Sequence, residues 1–180
     1  MKFIDGSCEN VFARKNNKTV IETLNHSRYQ KLKQKTVTRY PHSLDSPLGK
    51  FLLELKKVGD GFYLSFLNGY GDRTYSNFVI ADSEFYTARG IYAYFVHDEL
   101  KYIGRCKDSM KKRINQGYGK IHPKNCYLDG QVTNCRLNWL ITKAQEDVSL
   151  WFCAMDSLDE IVEEEKRLIR MCSPPWNKRN

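Results

Sequence analysis

The sequence predicts an α+β fold, an α/β sandwich in which helices flank a small mixed or antiparallel sheet. Two β-type segments, GIYAYFV at 90–96 and KYIGR at 101–105, lie on either side of a short polar turn and predict a hairpin. A third segment, VSLWFCA at 148–154, alternates as a strand does, and 157–172 predicts a helix that opens with a Ser157–Glu160 capping box. The predicted domain covers residues 88–180 and follows an N-terminal extension at 1–87.

The extension at 1–87 is expected to combine helices and strands. Helical spacing is loose at 19–35 and clearer at 46–58, whereas GFYLSFL at 61–67 and SNFVIA at 76–81 predict strands. Between Arg14 and Arg39 the chain has eight lysines and arginines against one acid, Glu22. A basic accessory region of this kind is expected to grip DNA.

The hairpin is expected to gather tyrosines on one face. Side chains alternate along a strand, so Tyr92 and Tyr94 share a face. A three-residue loop at 97–99 would pair Tyr94 with Tyr102 and Tyr92 with Gly104, which places three phenols on one surface. A glycine inside a strand often marks close approach by a ligand or by backbone. The alternative is that these tyrosines are ordinary strand residues.

Glu165 interrupts the apolar stripe of the last predicted helix. The stripe runs from Leu158 to Cys172, and Glu165 occupies the position three after Val162 and four before Ile169. Burial of a lone carboxylate is costly, so Glu165 is expected to have a partner, either a divalent metal or Arg113. The alternative is a stripe that ends early, with Glu165 reaching solvent at its margin.

A basic run follows the hairpin. Residues 107–117 predict a helix that Asp108 or Ser109 opens, with Arg113 between two apolar positions. The planar fork of an arginine suits a phosphate, although most such runs are solvated charged faces. Against one acid, Asp108, the run contains Lys101, Arg105, Lys107, Lys111, Lys112, Arg113, Lys120 and Lys124.

Composition narrows the classes of partner. The net charge of +8 favours a polyanion, with nucleic acid first. The N-terminus lacks the apolar stretch of a signal peptide, so the six cysteines are expected to be thiols in the cytoplasm. No apolar run is long enough for a membrane span. A structural zinc at His122, Cys126 and Cys135 lacks a Cys-x-x-Cys pair and an evident fourth ligand.

The chain has an ordered set of motifs: the tripeptides GIY and YIG, the helix KDSMKKRI, the inward glutamate Glu165 and the terminal PPWN. In this order, the motifs resemble those of the GIY-YIG nuclease superfamily. The resemblance covers about residues 88–180 and is greatest to stand-alone type II restriction endonucleases. Many members have a histidine about four residues after the arginine, where this chain has Gly117; Tyr118 is expected to substitute, with His122 as a second candidate. The family's other motif positions match Tyr92, Tyr102, Arg113, Glu165 and Asn177.

The resemblance implies metal-dependent hydrolysis of phosphodiester bonds. Glu165 would hold one Mg²⁺ or Mn²⁺, mostly through water. Arg113 would clamp the scissile phosphate, and Tyr92 would act as general base toward the attacking water, tuned by Tyr102, Tyr118 and Arg105. One catalytic set per chain cuts one strand, so cleavage of double-stranded DNA implies a homodimer.

DNA contacts are expected around and beyond the basic helix. Five lysines are expected to bind DNA, and four amides could reach base edges, unless the segment that carries them only connects two helices: Lys107, Lys111, Lys112, Lys120 and Lys124, and Asn125, Gln131, Asn134 and Asn138. The leading expectation is a sequence-specific restriction endonuclease. The alternatives are a phage, mobile-element or repair endonuclease of the same superfamily, and a DNA-binding module that keeps the fold without catalysis.

Overall fold

A computed structural model describes residues 1–14 and 18–177. The chain is mixed α+β, as predicted. It divides into two compact units: the first contains 1–7, 76–120 and the chain from 137 onward, and the second contains 8–75 and 121–136. This division differs from the predicted boundary at 87/88.

The N-terminal segment belongs with the first unit because it forms a strand there. Strand β1 (Lys2–Cys8) pairs with β2 (Tyr75–Val79), and the Phe3 and Phe78 rings lie 5.5 Å apart. The Phe78 amide also donates to the Gly119 carbonyl at 2.9 Å. The strand predicted at 76–81 is confirmed as β2, whereas β1 has no counterpart among the predictions.

A three-stranded antiparallel sheet forms the centre of the first unit. Its order is β4-β3-β5, with β3 at Gly90–Val96, β4 at Glu99–Cys106 and β5 at Val148–Ala154. Helix α5 (Leu158–Cys172) covers one face, where Ile161 packs against Ile91 and Ile103. The predicted strand at 148–154 and the helix after it are confirmed, including the Ser157 cap, whose hydroxyl accepts from the Glu160 amide at 3.3 Å.

The hairpin has the predicted pairing but a different turn. Tyr92 pairs with Gly104 and Tyr94 with Tyr102, as expected. The turn, however, has two residues, His97 and Asp98, with φ of 48° and 62°, the left-handed values that a type I′ turn requires. The register then shifts between Tyr94 and Phe95. This bulge supplies the extra residue that a three-residue loop was expected to provide, so the tyrosines still share a face.

The second unit contains helices α1 (Val20–Leu24), α2 (Gln30–Arg39) and α3 (Leu48–Lys57). Helix α3 confirms the prediction at 46–58, but the helix predicted at 19–35 is interrupted between α1 and α2 by a short 3₁₀ turn. The prediction of a strand at 61–67 is wrong. Residues Gly61–Phe66 form a 3₁₀ helix, which Asp60 caps by accepting from the Phe62 amide at 3.0 Å.

Helix α4 spans Val132–Lys143, so Asn134 and Asn138 are helical residues. Within residues 1–14 and 18–177, we find no helix with both the length and the apolarity that crossing a membrane demands.

Candidate active site

Four tyrosines pack together on the sheet face opposite α5. Tyr92 and Tyr94 come from β3, Tyr102 from β4, and Tyr118 from the end of a π-type helix at Lys111–Tyr118, which we call the arginine helix. The Tyr92 ring lies 6.0 Å from those of Tyr94 and Tyr102, and the Tyr94 and Tyr118 hydroxyls are 2.8 Å apart. All four are buried, and Tyr94 and Tyr118 are fully so. The predicted phenol face is therefore an internal cluster.

Gly104 has no side chain, which leaves room for the rings of Tyr92 and Tyr102 to pack against β4. A Cβ at this position would lie 2.6 Å from both the Tyr102 Cε1 and the Tyr92 Cζ atoms. Gly90 has a comparable role on β3, where a Cβ would lie 2.0 Å from the Cys153 carbonyl oxygen and φ is 150°. The glycines of both tripeptides are thus required by close approach, as the sequence indicated for Gly104.

Replacement of Gly104 by alanine is expected to destabilise the protein by about 1–3 kcal/mol, because two buried rings would have to move to admit the methyl group. The midpoint of urea unfolding, followed by tyrosine fluorescence, measures the loss. Gly69→Ala is the matched control, since a methyl group added at Gly69 would meet no neighbouring atom within 4 Å. Equal midpoints for the two variants would contradict the packing described for Gly104.

Arg113 is the cation of this cluster. Its Nε donates to the Tyr92 hydroxyl at 3.1 Å, and its guanidinium carbon lies 5.7 Å from the centre of the Tyr118 ring. Burial by itself lowers the pKa of the Arg113 guanidinium, but the neighbouring phenols, Tyr92 above all, reverse this and raise the pKa above its ordinary value. Arg113 therefore stays charged, and it is partly exposed.

The arginine helix is fixed at both ends. Ser109 accepts from the Lys112 amide at 3.2 Å, so Ser109 opens the helix as one of the two predicted caps. At the other end the chain leaves helical geometry at Gly117, with φ of −98° and ψ of −112°. The Asn138 amide there donates to the carbonyls of Tyr118 at 2.7 Å and Ser76 at 2.8 Å. These bonds hold Arg113 and Tyr118 against the sheet.

Glu165 lies on α5 and forms an ion pair with Arg105 of β4 through a very short contact. Its side chain is 14% exposed, which confirms that the carboxylate is largely buried and has a partner. Sequence reasoning offered a metal or Arg113 as that partner; the observed one is Arg105. The sequence did not predict the Arg105–Glu165 pair, because residues 107–157 separate β4 from α5 along the chain.

Tyr102 connects the two charged groups. Burial raises the pKa of its phenol above the ordinary value, and Tyr92 and the Glu165 carboxylate add to this while Arg113 opposes it. Arg113 and Glu165 are therefore both within electrostatic reach of one hydroxyl. The arginine helix and the hairpin thus bring the Arg113 guanidinium and the phenols together on one face of the sheet, while α5 places the Glu165 carboxylate against Arg105 on the other face.

Asn177 supports the strand that carries Tyr102. Its side chain accepts from the Ile103 amide at 2.9 Å and donates to the Ile103 carbonyl at 2.8 Å. The Trp176 amide donates to the Lys101 carbonyl at 2.8 Å. The side-chain amide of Asn177 thereby completes the outer edge of β4, next to Arg105.

The donor set of this site fits a hydrated divalent ion better than a metal held wholly by protein. Glu165 supplies one carboxylate, and an open groove of about 1230 Å³ runs beside it, bordered by Arg105 and Asn177. Mg²⁺ commonly keeps several waters and takes one or two carboxylates together with substrate phosphate. Among the described residues, no three His, Cys, Asp or Glu side chains are grouped to hold a metal, which includes the zinc alternative at His122, Cys126 and Cys135.

The residues predicted to contact DNA divide by exposure. Five lysines are exposed: Lys107, Lys111, Lys112, Lys120 and Lys124. Asn125 is partly exposed and Gln131 exposed. Asn138 and Asn134 lie inside the protein at 0% and 7% exposure, contrary to the surface position that base contact needs. Asn138 instead anchors the arginine helix, and the Asn134 amide donates to Gln131 at 2.6 Å.

The two residues predicted to substitute for the histidine of the superfamily that the sequence resembles, Tyr118 and His122, lie in different units. Tyr118 belongs to the tyrosine cluster, and burial raises the pKa of its phenol well above the ordinary value, so it remains protonated. His122 belongs to the second unit, where it lines a pocket with Lys124.

Comparisons of the chain with protein-family models, with curated proteins and with solved structures gave no match.

Proposed function

We propose that this protein is a metal-dependent DNA endonuclease of the GIY-YIG type. The observation that carries the proposal is the contact of the Arg113 Nε with the Tyr92 hydroxyl at 3.1 Å, on a hairpin where Tyr92 pairs with Gly104 and the next residue, Arg105, contacts the Glu165 carboxylate. A charged guanidinium, phenol hydroxyls and one carboxylate are the groups needed to bind a phosphodiester, move a proton and hold a divalent ion. The net charge of +8 supports a nucleic-acid substrate.

Arg113 binds the scissile phosphate in this proposal. Its Nε is held by Tyr92 and one face is held by Tyr118, so the remaining N–H groups are oriented before substrate arrives. Such pre-orientation lowers the entropic cost of binding. Tyr118 therefore substitutes for the family histidine by positioning Arg113, since a buried phenol with a raised pKa is a poor proton relay.

Glu165 would hold the metal, and a bound divalent ion would supply positive charge at the phosphoryl and leaving oxygens. In the free protein Arg105 neutralises this carboxylate. On substrate binding Arg105 turns to a neighbouring phosphate, and Glu165 becomes available as an oxygen ligand. Tyr92 would serve as general base only as a phenolate: its own hydroxyl proton passes to solvent first, and the phenolate oxygen then accepts a proton from the attacking water. Arg113, which already donates to this oxygen through Nε, would stabilise the phenolate.

Site-specific restriction of double-stranded DNA by a homodimer is the finer form of the proposal. One set of Tyr92, Arg113 and Glu165 in each chain serves one strand, so two copies related by a two-fold axis would cut both. A palindromic recognition sequence would follow from that symmetry. A phage, mobile-element or repair nuclease would use the same chemistry on other targets.

A non-catalytic DNA-binding module is the second candidate, and the Arg105–Glu165 ion pair is the observation that favours it. A carboxylate already neutralised by an arginine has a structural explanation that needs no metal. The two candidates differ in whether the carboxylate is ever released to a divalent ion.

Supercoiled plasmid and phage DNA are expected to be cleaved in the presence of Mg²⁺ or Mn²⁺ and to stay intact when EDTA replaces the metal. Gel electrophoresis after incubation with the purified protein measures this. Discrete fragments support site-specific restriction, and a smear supports a less selective nuclease. Intact DNA with both metals, together with retarded mobility in a binding gel, would establish the non-catalytic module instead.

A further inference from the structure

The second unit contains a pocket of about 300 Å³ to which the catalytic proposal assigns no role. Its walls come from the helical region before residue 49 and from the segment at 122–129. Three buried side chains line the apolar part: Tyr29 at 1% exposure, Leu48 at 2% and Tyr127 at 4%. The pocket therefore has an apolar and aromatic lining formed by well-packed residues.

Two histidines line the pocket in the same arrangement. His26 accepts from the Arg28 amide through Nδ1 at 3.4 Å, and His122 accepts from the Lys124 amide through Nδ1 at 3.2 Å. Because Nδ1 accepts in both rings, the proton of each neutral ring resides on Nε2. Both histidines can therefore donate through Nε2, and each ring is oriented by its own local hydrogen bond.

Two lysines accompany the histidines. Lys18 and Lys124 also line the pocket, so two lysines and two histidines border one space. A single carboxylate, Asp129, accepts from the buried Tyr29 hydroxyl at 2.5 Å. Burial raises the pKa of Tyr29, and the Asp129 carboxylate raises it further, so Tyr29 keeps its proton and continues to donate to Asp129.

We propose that this pocket binds a mononucleotide unit, that is, one phosphate joined to a sugar and a base. The two histidines and Lys124 bind the phosphate, while the base lies against Tyr127 and Leu48. Asp129 accepts a hydrogen bond from an amino or hydroxyl group of the ligand. The volume of about 300 Å³ corresponds to about ten waters at about 30 Å³ each, which a phosphate ion alone would leave largely unfilled.

The nucleotide has two sources with the same chemistry: a free deoxynucleoside monophosphate, or one nucleotide of a DNA strand turned out of its stack. This inference does not depend on the proposed nuclease activity, because every group that it uses lies in the second unit.

Isothermal titration of the full chain with each of the four deoxynucleoside 5′-monophosphates tests the inference. At least one is expected to bind about ten-fold or more tightly than either its deoxynucleoside or inorganic phosphate, because each of those fills half of the site. Absence of heat with all four up to about 5 mM would overturn the inference, since a millimolar site would then be mostly filled.

Paired variants locate the binding. Asparagine can accept the same backbone amide that Nδ1 accepts but is too short to replace Nε2, so His26→Asn with His122→Asn removes the two donors while keeping the local turns. This double variant is expected to lose about ten-fold or more in affinity. His42→Asn is the control, because His42 is an exposed histidine that does not line the pocket. Equal affinity of the double variant and the control would overturn the inference.

Arg113→Gln separates this pocket from the candidate active site, because Arg113 is the proposed phosphate-binding group there and does not line the pocket. Unchanged nucleotide binding by Arg113→Gln supports a site in the second unit, whether or not the protein cleaves DNA. Loss of binding in that variant would overturn the inference, because the nucleotide would then occupy the candidate active site. A single-stranded oligonucleotide that displaces the bound monophosphate indicates DNA as the natural source, and failure to displace it indicates the free nucleotide.

Discussion

Replacement of Glu165 by glutamine is expected to lower the rate of DNA cleavage by about 100-fold or more while leaving DNA affinity nearly unchanged. Glutamine keeps the shape of the side chain but removes the charge that would hold a divalent ion. It also leaves Arg105 without its partner, and that arginine then remains free to bind phosphate. Initial rates of plasmid nicking at saturating Mg²⁺, with affinity from fluorescence anisotropy of labelled DNA, measure the two effects separately.

Glu163→Gln is the matched control for this variant. Glu163 lies on the same helix two residues earlier and is exposed, so it has the same chemistry without the buried position. The control is expected to cleave at the parent rate. If Glu165→Gln cleaved within a few-fold of Glu163→Gln, the assignment of the metal to Glu165 would be incorrect and the Arg105–Glu165 pair would be structural.

Tyr92→Phe is expected to lower cleavage by about 100-fold or more, with DNA binding retained. The variant keeps the buried ring and loses only the hydroxyl that accepts from Arg113 at 3.1 Å. It therefore removes the proposed proton acceptor and also frees the guanidinium from its fixed orientation. Single-turnover cleavage, with enzyme in excess over DNA, measures the chemical step without interference from product release.

Tyr94→Phe provides the comparison, since Tyr94 lies on the same strand and the same face as Tyr92. Its hydroxyl contacts Tyr118 rather than Arg113. Loss of this fully buried hydrogen bond is expected to lower the free energy of unfolding by about 1–2 kcal/mol and to leave the cleavage rate within a few-fold of the parent. Equal loss of cleavage in both variants would contradict the role given to Tyr92, because cleavage would then depend on the hydroxyls of the cluster in general.

The features that could be predicted are those set by local periodicity. Alternation along β3 and β4 put Tyr92, Tyr94 and Tyr102 on one face, and the 3.6-residue period of α5 marked Glu165 as a carboxylate in an apolar stripe. Both predictions depend only on the repeat of a single strand or helix. They identified these side chains as candidate site residues, but they did not identify the residues that each side chain contacts.

The features that could not be predicted depend on contacts distant in sequence. Arg105 meets Glu165 across sixty residues, and Asn138 reaches back to Ser76 across sixty-two. Residues 61–66 are apolar enough for a strand, but the Asp60 cap and the aromatic packing of the second unit favour a 3₁₀ helix there. The prediction for the hairpin was right about the strand pairing and wrong about the turn. A two-residue turn with a bulge gives the tyrosines the same register as a three-residue turn without one.

The side chain of Asn177 occupies backbone hydrogen-bonding groups at the outer edge of β4. β4 is an outer strand, and an outer strand with unused amide groups is a template on which another chain can add. Here the outward N–H and C=O of Ile103 are already bonded to Asn177, and the Lys101 carbonyl is bonded to the amide of the preceding residue, Trp176. The strand that carries Tyr102 is thereby closed to intermolecular pairing at its centre, which guards the candidate site against aggregation through its own edge.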